Sequence, residues 1–253
     1  MDAPRDRISE LYVEGMRALG SVRLPLGGLR VLIGDNGSGK SSLLEALELL
    51  RKAARPGSFV SEQMEPFHGD LGMLLRQGAA ALRLGARIEG GGPAIEYGFA
   101  VARQGRAAVI AEERLDVWAD GAAAGPLRVI DRDLAGCRVL EEASKPPSPL
   151  QVPSGQLALT SFGAFAPSSV ARVLDVLGRG RVHVPFDVQP LWISAEQQRR
   201  PPLREPAQIS RTHEVERLGG NLANAYFALA QERPREVWER TLERVRAGLG
   251  ADV

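Results

Sequence analysis

Apolar and polar positions in this chain follow two different periods, and the change of period divides it. Residues 81–89, 94–102 and 107–119 alternate with a period near two. They are separated by Gly90-Gly91-Gly92-Pro93 and Gln104-Gly105 and closed by Asp120-Gly121, a pattern that predicts three strands of an antiparallel β-meander. Ahead of them, Leu29-Arg30-Val31-Leu32-Ile33 is a short apolar run of strand type, and Leu43, Leu44, Leu47 and Leu50 recur at helical spacing. Arg55-Pro56-Gly57-Ser58 ends that helix through proline and glycine. Farther on, Val170, Val173, Leu174 and Leu177 predict a helix over 168–178, and Asn221 is placed to cap another running through Ala230. Trp238, Leu242, Val245 and Leu249 form a last stripe at 4-3-4 spacing, the pattern of a helix face packed on a core. Between these, 146–153 reads as a proline-rich linker or long loop, and 197–213, with Arg199-Arg200-Pro201-Pro202 and few apolar residues, as an exposed segment.

The chemistry lies between the first strand and the first helix. Gly34-Asp35-Asn36-Gly37-Ser38-Gly39-Lys40-Ser41 matches G-x-x-x-x-G-K-[ST], and residue frequencies in this chain allow roughly 0.003 accidental matches. Glycines at these positions let backbone N–H groups curl around phosphate oxygens, and the helix N-terminus adds partial positive charge. In such a P-loop Lys40 reaches the β- and γ-phosphates and the Ser41 hydroxyl ligates Mg²⁺. A guanine-type N-K-x-D motif is absent, which favours ATP.

Asn36 and Ser42 narrow the match. The stretch from Ile33 to Ser42 resembles the G-x-N-G-x-G-K-S-[SN] loop of the RecF/SMC/Rad50 group of ABC-type ATPases. Ile8-Ser9-Glu10-Leu11-Tyr12-Val13, followed by Met16-Arg17-Ala18-Leu19, sits where that group has a first strand and turn, with Met16 in place of the usual aromatic. By that resemblance Arg17 approaches the nucleotide; the residues alone equally allow a solvated arginine at a strand end. Three later stretches are looser matches to the single-chain RecF-like ATPases: Phe67-His68-Gly69-Asp70-Leu71, Arg181-Val182-His183-Val184-Pro185-Phe186-Asp187 and Gly219-Gly220-Asn221. The implied fold is α/β, a P-loop NTPase of ABC/RecF head type, with a mixed sheet, an antiparallel β-subdomain and C-terminal helices. The expected organisation is one partial head over 1–253: a P-loop core at 1–57, the β-meander at 58–135 and a helical segment with proline-rich loops at 136–253.

The same resemblance implies Mg-ATP as ligand, a homodimer closing through the nucleotide site, and work on DNA in repair, maintenance or anti-phage defence with a nuclease partner. Composition adds little to that. The 253 residues carry 32 basic and 31 acidic side chains, a net charge of +1, and no basic run that would mark a nucleic-acid footprint. One cysteine, Cys137, excludes an intrachain disulfide framework. The N-terminus has no signal-peptide pattern and no apolar run approaches spanning length, so a soluble cytoplasmic protein without a membrane association is expected.

A catalytic carboxylate is harder to find. Glu112-Glu113 follows Ala108-Val109-Ile110-Ala111 inside the meander, Asp131 follows Val129-Ile130, and both sites read as ordinary strand residues with solvated acids. Pro153-Ser154-Gly155-Gln156 is a decoy for an ABC signature loop. The expectation is therefore an N-terminal portion, from a truncation or a split gene, in which hydrolysis needs elements supplied elsewhere. Two alternatives stand beside it: a non-hydrolysing nucleotide-dependent interaction module, and a P-loop kinase, which the meander disfavours because a kinase chain should continue βαβα.

Overall fold

The computed structural model describes residues 5–35, 37–118, 125–140, 146–162, 166–179, 221–232 and 234–249. It divides into two compact units, Met1–Arg181 and Val182–Val253. The stretches Arg181–Asp187, 197–213 and Gly219-Gly220 singled out above lie outside the described residues, as does Asn36.

The first unit is built on an eight-stranded antiparallel sheet of order β2-β1-β3-β4-β5-β6-β7-β8. Its strands are β1 (Arg7–Met16), β2 (Leu19–Pro25), β3 (Ala81–Glu89), β4 (Ala94–Gln104), β5 (Ala107–Trp118), β6 (Leu127–Arg132), β7 (Cys137–Val139) and β8 (Ser148–Pro149). The three predicted meander strands are present as β3, β4 and β5. Short turns connect β3 to β4 and β4 to β5, and a short turn can only reverse the chain, so these pairings are antiparallel, as are the other pairings of the sheet. Between β2 and β3 come α1 (Lys40–Lys52), a π-helical turn (Phe59–Met64), the short α2 (Glu65–His68) and a 3-10 turn (Leu71–Met73), before β3 returns to pair with β1. The helix α3 (Ser168–Arg179) follows the sheet.

The core lies on the face of the sheet covered by α1 and α3. Leu11 and Val13 of β1, Leu82 and Leu84 of β3, and Ile95, Tyr97 and Phe99 of β4 are buried with Ala46, Leu49 and Leu50 of α1. Val170, Val173 and Leu177 of the predicted stripe are buried on α3 together with Val176, and Leu174 is partly buried. Phe59 meets Phe99 edge to face with ring centroids 4.8 Å apart, which fixes the π-helical turn on the sheet. Each fully buried leucine, isoleucine or phenylalanine contributes about 1.5–3 kcal/mol relative to exposure.

Two sequence expectations are corrected here. Leu29–Ile33 is no strand: it has no regular structure and no ladder partner among the described residues, and Leu29, Val31 and Ile33 are 90%, 72% and 91% exposed. The mixed sheet consequently has no parallel component among the described residues. An apolar run gains by strand formation only when a neighbour takes its N–H and C=O groups and covers its side chains, and no described strand does so. The second correction concerns the proline-rich 146–153, where Ser148 and Pro149 pair with Val139 and Arg138 as the outermost strand. Proline is tolerated there because an edge leaves N–H positions unused.

Asp6 ties β1 to α3. Its carboxylate accepts from Arg172 Nε and Nη2 at 2.8 and 2.7 Å and from the Gly91 N–H at 2.8 Å, while Arg172 Nη1 donates to the Pro93 carbonyl at 2.8 Å. The Arg172 bonds hold the Asp6 carboxyl below its ordinary range, against a smaller upward push from burial. A depressed folded pKa stabilises above the unfolded value of about 3.9, and that stability is lost as pH falls through the folded value. Asp6→Asn should cost about 1–3 kcal/mol in urea unfolding at neutral pH. The gap from wild type should narrow as pH drops below about 4; a gap independent of pH would show that charge is not its source.

In the second unit, α4 (Leu222–Glu232) and α5 (Arg235–Leu249) form a helix pair. The backbone of Asn221 accepts from the Ala225 N–H at 3.0 Å at the start of α4. Tyr226 and Trp238 pack edge to face with centroids 6.1 Å apart, so Trp238 of the predicted stripe meets a partner helix. Among the described residues no helix is long and apolar enough to cross a membrane.

Candidate functional site

The Gly34–Ser41 loop forms the entry to α1. Gly37 and Gly39 have φ of +81° and +99°, a region where a side chain is strained. Gly39 is the N-cap of α1, and the first helical bond runs from the Leu43 N–H to the Gly39 carbonyl at 3.0 Å. The N–H groups of Lys40, Ser41 and Ser42 precede that bond and have no intrahelical partner, so they add their dipoles at the loop's mouth. The first turn holds no acidic residue that would compete with an anion. Ser41 is exposed and Ser42 is buried.

Lys40 folds back over this loop. Its Nζ donates to the carbonyls of Gly34 and Asp35 at 2.6 and 2.7 Å, and Ser38 Oγ lies 3.3 Å away. An ammonium satisfied by neutral carbonyls keeps its full charge, so an incoming phosphate would offer a stronger acceptor than either. The donor set of N–H groups, one lysine and two hydroxyls fits a nucleoside triphosphate with a divalent cation, Ser41 supplying the hydroxyl for the metal.

Gly39 has a second reason to be glycine. A Cβ there would lie 2.5 Å from Leu19 Cδ2 and 3.7 Å from Ala18 Cβ, because the β1–β2 turn packs directly against the loop. Gly39→Ala combines that clash with positive-φ strain and should cost about 1–3 kcal/mol, lowering the melting temperature by several degrees. Thermal unfolding without nucleotide checks this; an unchanged melting temperature would mean the turn does not pack so tightly.

The same turn carries Arg17. Its guanidinium does not reach into the loop: Nη1 pairs with Glu45 of α1 at 2.6 Å and Nε donates to the Met73 carbonyl at 3.2 Å. Thus Gly34, Asp35, Gly37, Ser38, Gly39, Lys40, Ser41 and Ser42 are contiguous around the helix start, and Arg17 stands beside them rather than among them.

The acidic pair of the meander is corrected in one member. Glu112 is half-exposed and paired with Arg83 at 2.8 Å. Glu113 is not solvated but fully buried, accepting from the N–H groups of Ala158 and Leu159 at 2.6 and 2.8 Å and from Tyr97 Oη at 3.1 Å. Burial pushes its carboxyl above the ordinary range, with those N–H groups and Arg132 opposing. The sequence shows only that position 113 alternates; that its face is covered by the 153–160 segment is a tertiary fact. Nor is Cys137 poised for chemistry, since burial and the Glu113 carboxylate push its thiol up to about 11. The Pro153–Gln156 stretch is likewise absorbed into structure: Gly155 O accepts from the Val60 N–H at 3.0 Å and Ser154 O from the Ile110 N–H at 2.8 Å.

Comparison with known proteins follows this geometry. Residues 29–120, which span the loop, α1 and the meander, match the family described as "AAA domain, putative AbiEii toxin, Type IV TA system". The chain is also 36% identical over 126 residues to the DNA replication and repair protein RecF of Thioalkalivibrio sulfidiphilus (strain HL-EbGR7). Over these segments the chain is similar to RecF/ABC-like ATPases. The RecF alignment covers 49% of this chain and 32% of the relative, so the chain spans about a third of the length of the curated protein it matches. The AAA-domain match covers the segment where glycine conformation, helix dipole and Lys40 converge.

Proposed function

We propose that this RecF-like chain is a Mg-ATP-binding head whose nucleotide seats on Gly34–Ser42. The observation that carries this reading is the junction at Gly39. A left-handed glycine starts a 13-residue helix there, the first N–H groups of that helix are open at the loop's mouth, and Leu19 Cδ2 packs 2.5 Å from where a Cβ would stand. The β- and γ-phosphates lie on the N–H groups of Gly37 to Ser41, Lys40 leaves the Gly34 and Asp35 carbonyls for them, and the Ser41 hydroxyl holds Mg²⁺.

In this reading Leu29–Ile33 becomes a paired strand in the working head, its neighbours coming from another segment or chain that brings the hydrolytic carboxylate. Four exposed apolar residues directly before the loop, Leu29, Val31, Leu32 and Ile33, support it. ATP would join two heads face to face, and the relative's name points to DNA replication or repair as the setting; anti-phage defence with a nuclease partner is the other role the resemblance carries.

One observation favours a second reading, a nucleotide-dependent interaction module without turnover. Glu113 is committed to the core and Glu112 to Arg83, so neither meander carboxylate is free to activate water. The experiment is a titration of the purified chain with Mg-ATP, followed by phosphate release and sedimentation velocity. Binding with nucleotide-induced dimerisation supports the head. Binding without either turnover or dimerisation favours the module, and no binding at all refutes both.

A further inference from the structure

Arg17 occupies a position that suits glycine. It is the first residue of the two-residue turn between β1 and β2, its φ is +46°, and it is the one non-glycine residue at positive φ among the described residues. Strain of this kind persists where the surrounding structure enforces it, and that enforcement is visible. The Arg17 N–H donates to the Leu74 carbonyl at 2.9 Å, the Arg76 N–H to Gly15 O at 2.9 Å, and Arg76 Nη1 to Ala18 O at 2.7 Å. The turn backbone is therefore clamped to the 74–76 segment, and the side chain of residue 17 is its exposed part. Glycine would relieve the strain but would remove the guanidinium, so the side chain is what the position retains.

That side chain is held by a shared carboxylate. Glu45 lies on α1, five residues after Lys40, and its two oxygens take different partners: Oε2 pairs with Arg17 Nη1 at 2.6 Å, Oε1 with His68 Nδ1 at 2.6 Å. The three exposures differ in a way that assigns roles. The His68 side chain is 5% exposed and that of Glu45 16%, whereas that of Arg17 is 41%. His68 Nε2 is buried without a hydrogen-bond partner among the described residues, so Glu45 is the polar anchor of the ring. His68 and Glu45 form a fixed pair, and Arg17 is the exposed, exchangeable member.

We infer that Glu45 is a positioning residue that parks Arg17 beside the phosphate loop until nucleotide arrives. It rests on the Mg-ATP reading of that loop. A triphosphate on the start of α1 brings several negative charges next to the turn and competes with Glu45 for the guanidinium, whose planar fork suits phosphate oxygens. When Arg17 swings across, Glu45 is not left without a partner, because His68 Nδ1 still lies 2.6 Å from it. The exchange releases α1 from one of its ties to the β1–β2 turn, so nucleotide binding is communicated to that turn and to the residues that clamp it.

The test is a cycle of Mg-ATP affinities on wild type, Glu45→Gln, Arg17→Met and the double variant. Glutamine keeps an acceptor for His68 but weakens the hold on Arg17. Glu45→Gln should therefore bind Mg-ATP about three- to tenfold more tightly than wild type. Arg17→Met should bind about tenfold more weakly, and adding Glu45→Gln to it should bring no gain. Equal or weaker binding by Glu45→Gln, or the same gain in the Arg17→Met background, overturns the inference, since a purely structural Glu45 would act independently of Arg17. Wild type that binds while the cycle shows no coupling sinks only the parking role; wild type that fails to bind sinks the nucleotide reading with it. Should Glu45→Gln not fold, Arg17→Met alone decides, unchanged affinity being the refuting result.

Discussion

Lys40→Ala should weaken Mg-ATP binding at least a hundredfold. Lys40 brings a full positive charge to the mouth of the Gly34–Ser41 loop, and each charge-assisted hydrogen bond is worth about 1.5–3 kcal/mol. Two such bonds to phosphate oxygens, lost together, exceed the 2.7 kcal/mol or so that a hundredfold requires. Without nucleotide the same substitution should be mild. The bonds it removes go to Gly34 O, Asp35 O and Ser38 Oγ in a loop open to water, where carbonyls are readily resolvated. The expected result is a variant that melts within a few degrees of wild type yet shows no saturable change with a fluorescent ATP analogue. If it binds as tightly as wild type, the loop is not the phosphate site.

The largest stability effect should come from a residue that has no part in binding. Glu113→Ala removes an acceptor that serves Ala158 N–H, Leu159 N–H and Tyr97 Oη, with Arg132 Nη1 3.7 Å from its second oxygen. Arg132 is itself buried and donates to Gln156 O at 2.5 Å and Pro153 O at 3.0 Å, so the cluster fastens the 153–160 segment to β5 and β6. Breaking one side of a buried ion pair costs about 3–5 kcal/mol, because the remaining charge and donors stay buried without compensation. Urea unfolding should show that loss, whereas the half-exposed Glu112→Ala should stay within about 1 kcal/mol of wild type. Equal small losses at both positions would mean that the 153–160 segment does not cover Glu113 in solution. The contrast matters for function too, since Glu113 is a tempting catalytic acid on sequence alone and is here a buried fastener.

Much of the local structure was legible because its signals are short-range. Gly90–Pro93 and Gln104-Gly105 mark reversals that leave antiparallel pairing as the outcome, and β3, β4 and β5 follow their alternation. The 3.6-residue stripes carry the helices α1 and α3 but only part of their buried faces: Leu50 and Val173 are buried, whereas Leu44 is exposed and Ala46 and Leu49 are buried instead. Leu29–Ile33 fails for an equally physical reason. A run of apolar residues states that a segment wants cover, but not which neighbour supplies it, and here none of the described strands does. Arg17 and Glu45 show the reach of the other limit: 28 positions apart, they carry no local mark of their 2.6 Å contact.

By itself, then, the sequence determined the phosphate-loop motif, the helix it opens and the three-stranded meander, since each depends on residue types a few positions apart: glycines for positive φ, a lysine at the helix start, side chains repeating every two or every three to four residues. Only the tertiary structure decided where the charges went. It placed Glu113 in the core rather than in water, because two backbone N–H groups from 45 residues downstream converge on it. It set the β1–β2 turn against Gly39 and gave Arg17 to Glu45 and His68. Burial and ion pairing are properties of what surrounds a side chain, and those surroundings come from parts of the chain that meet only after folding.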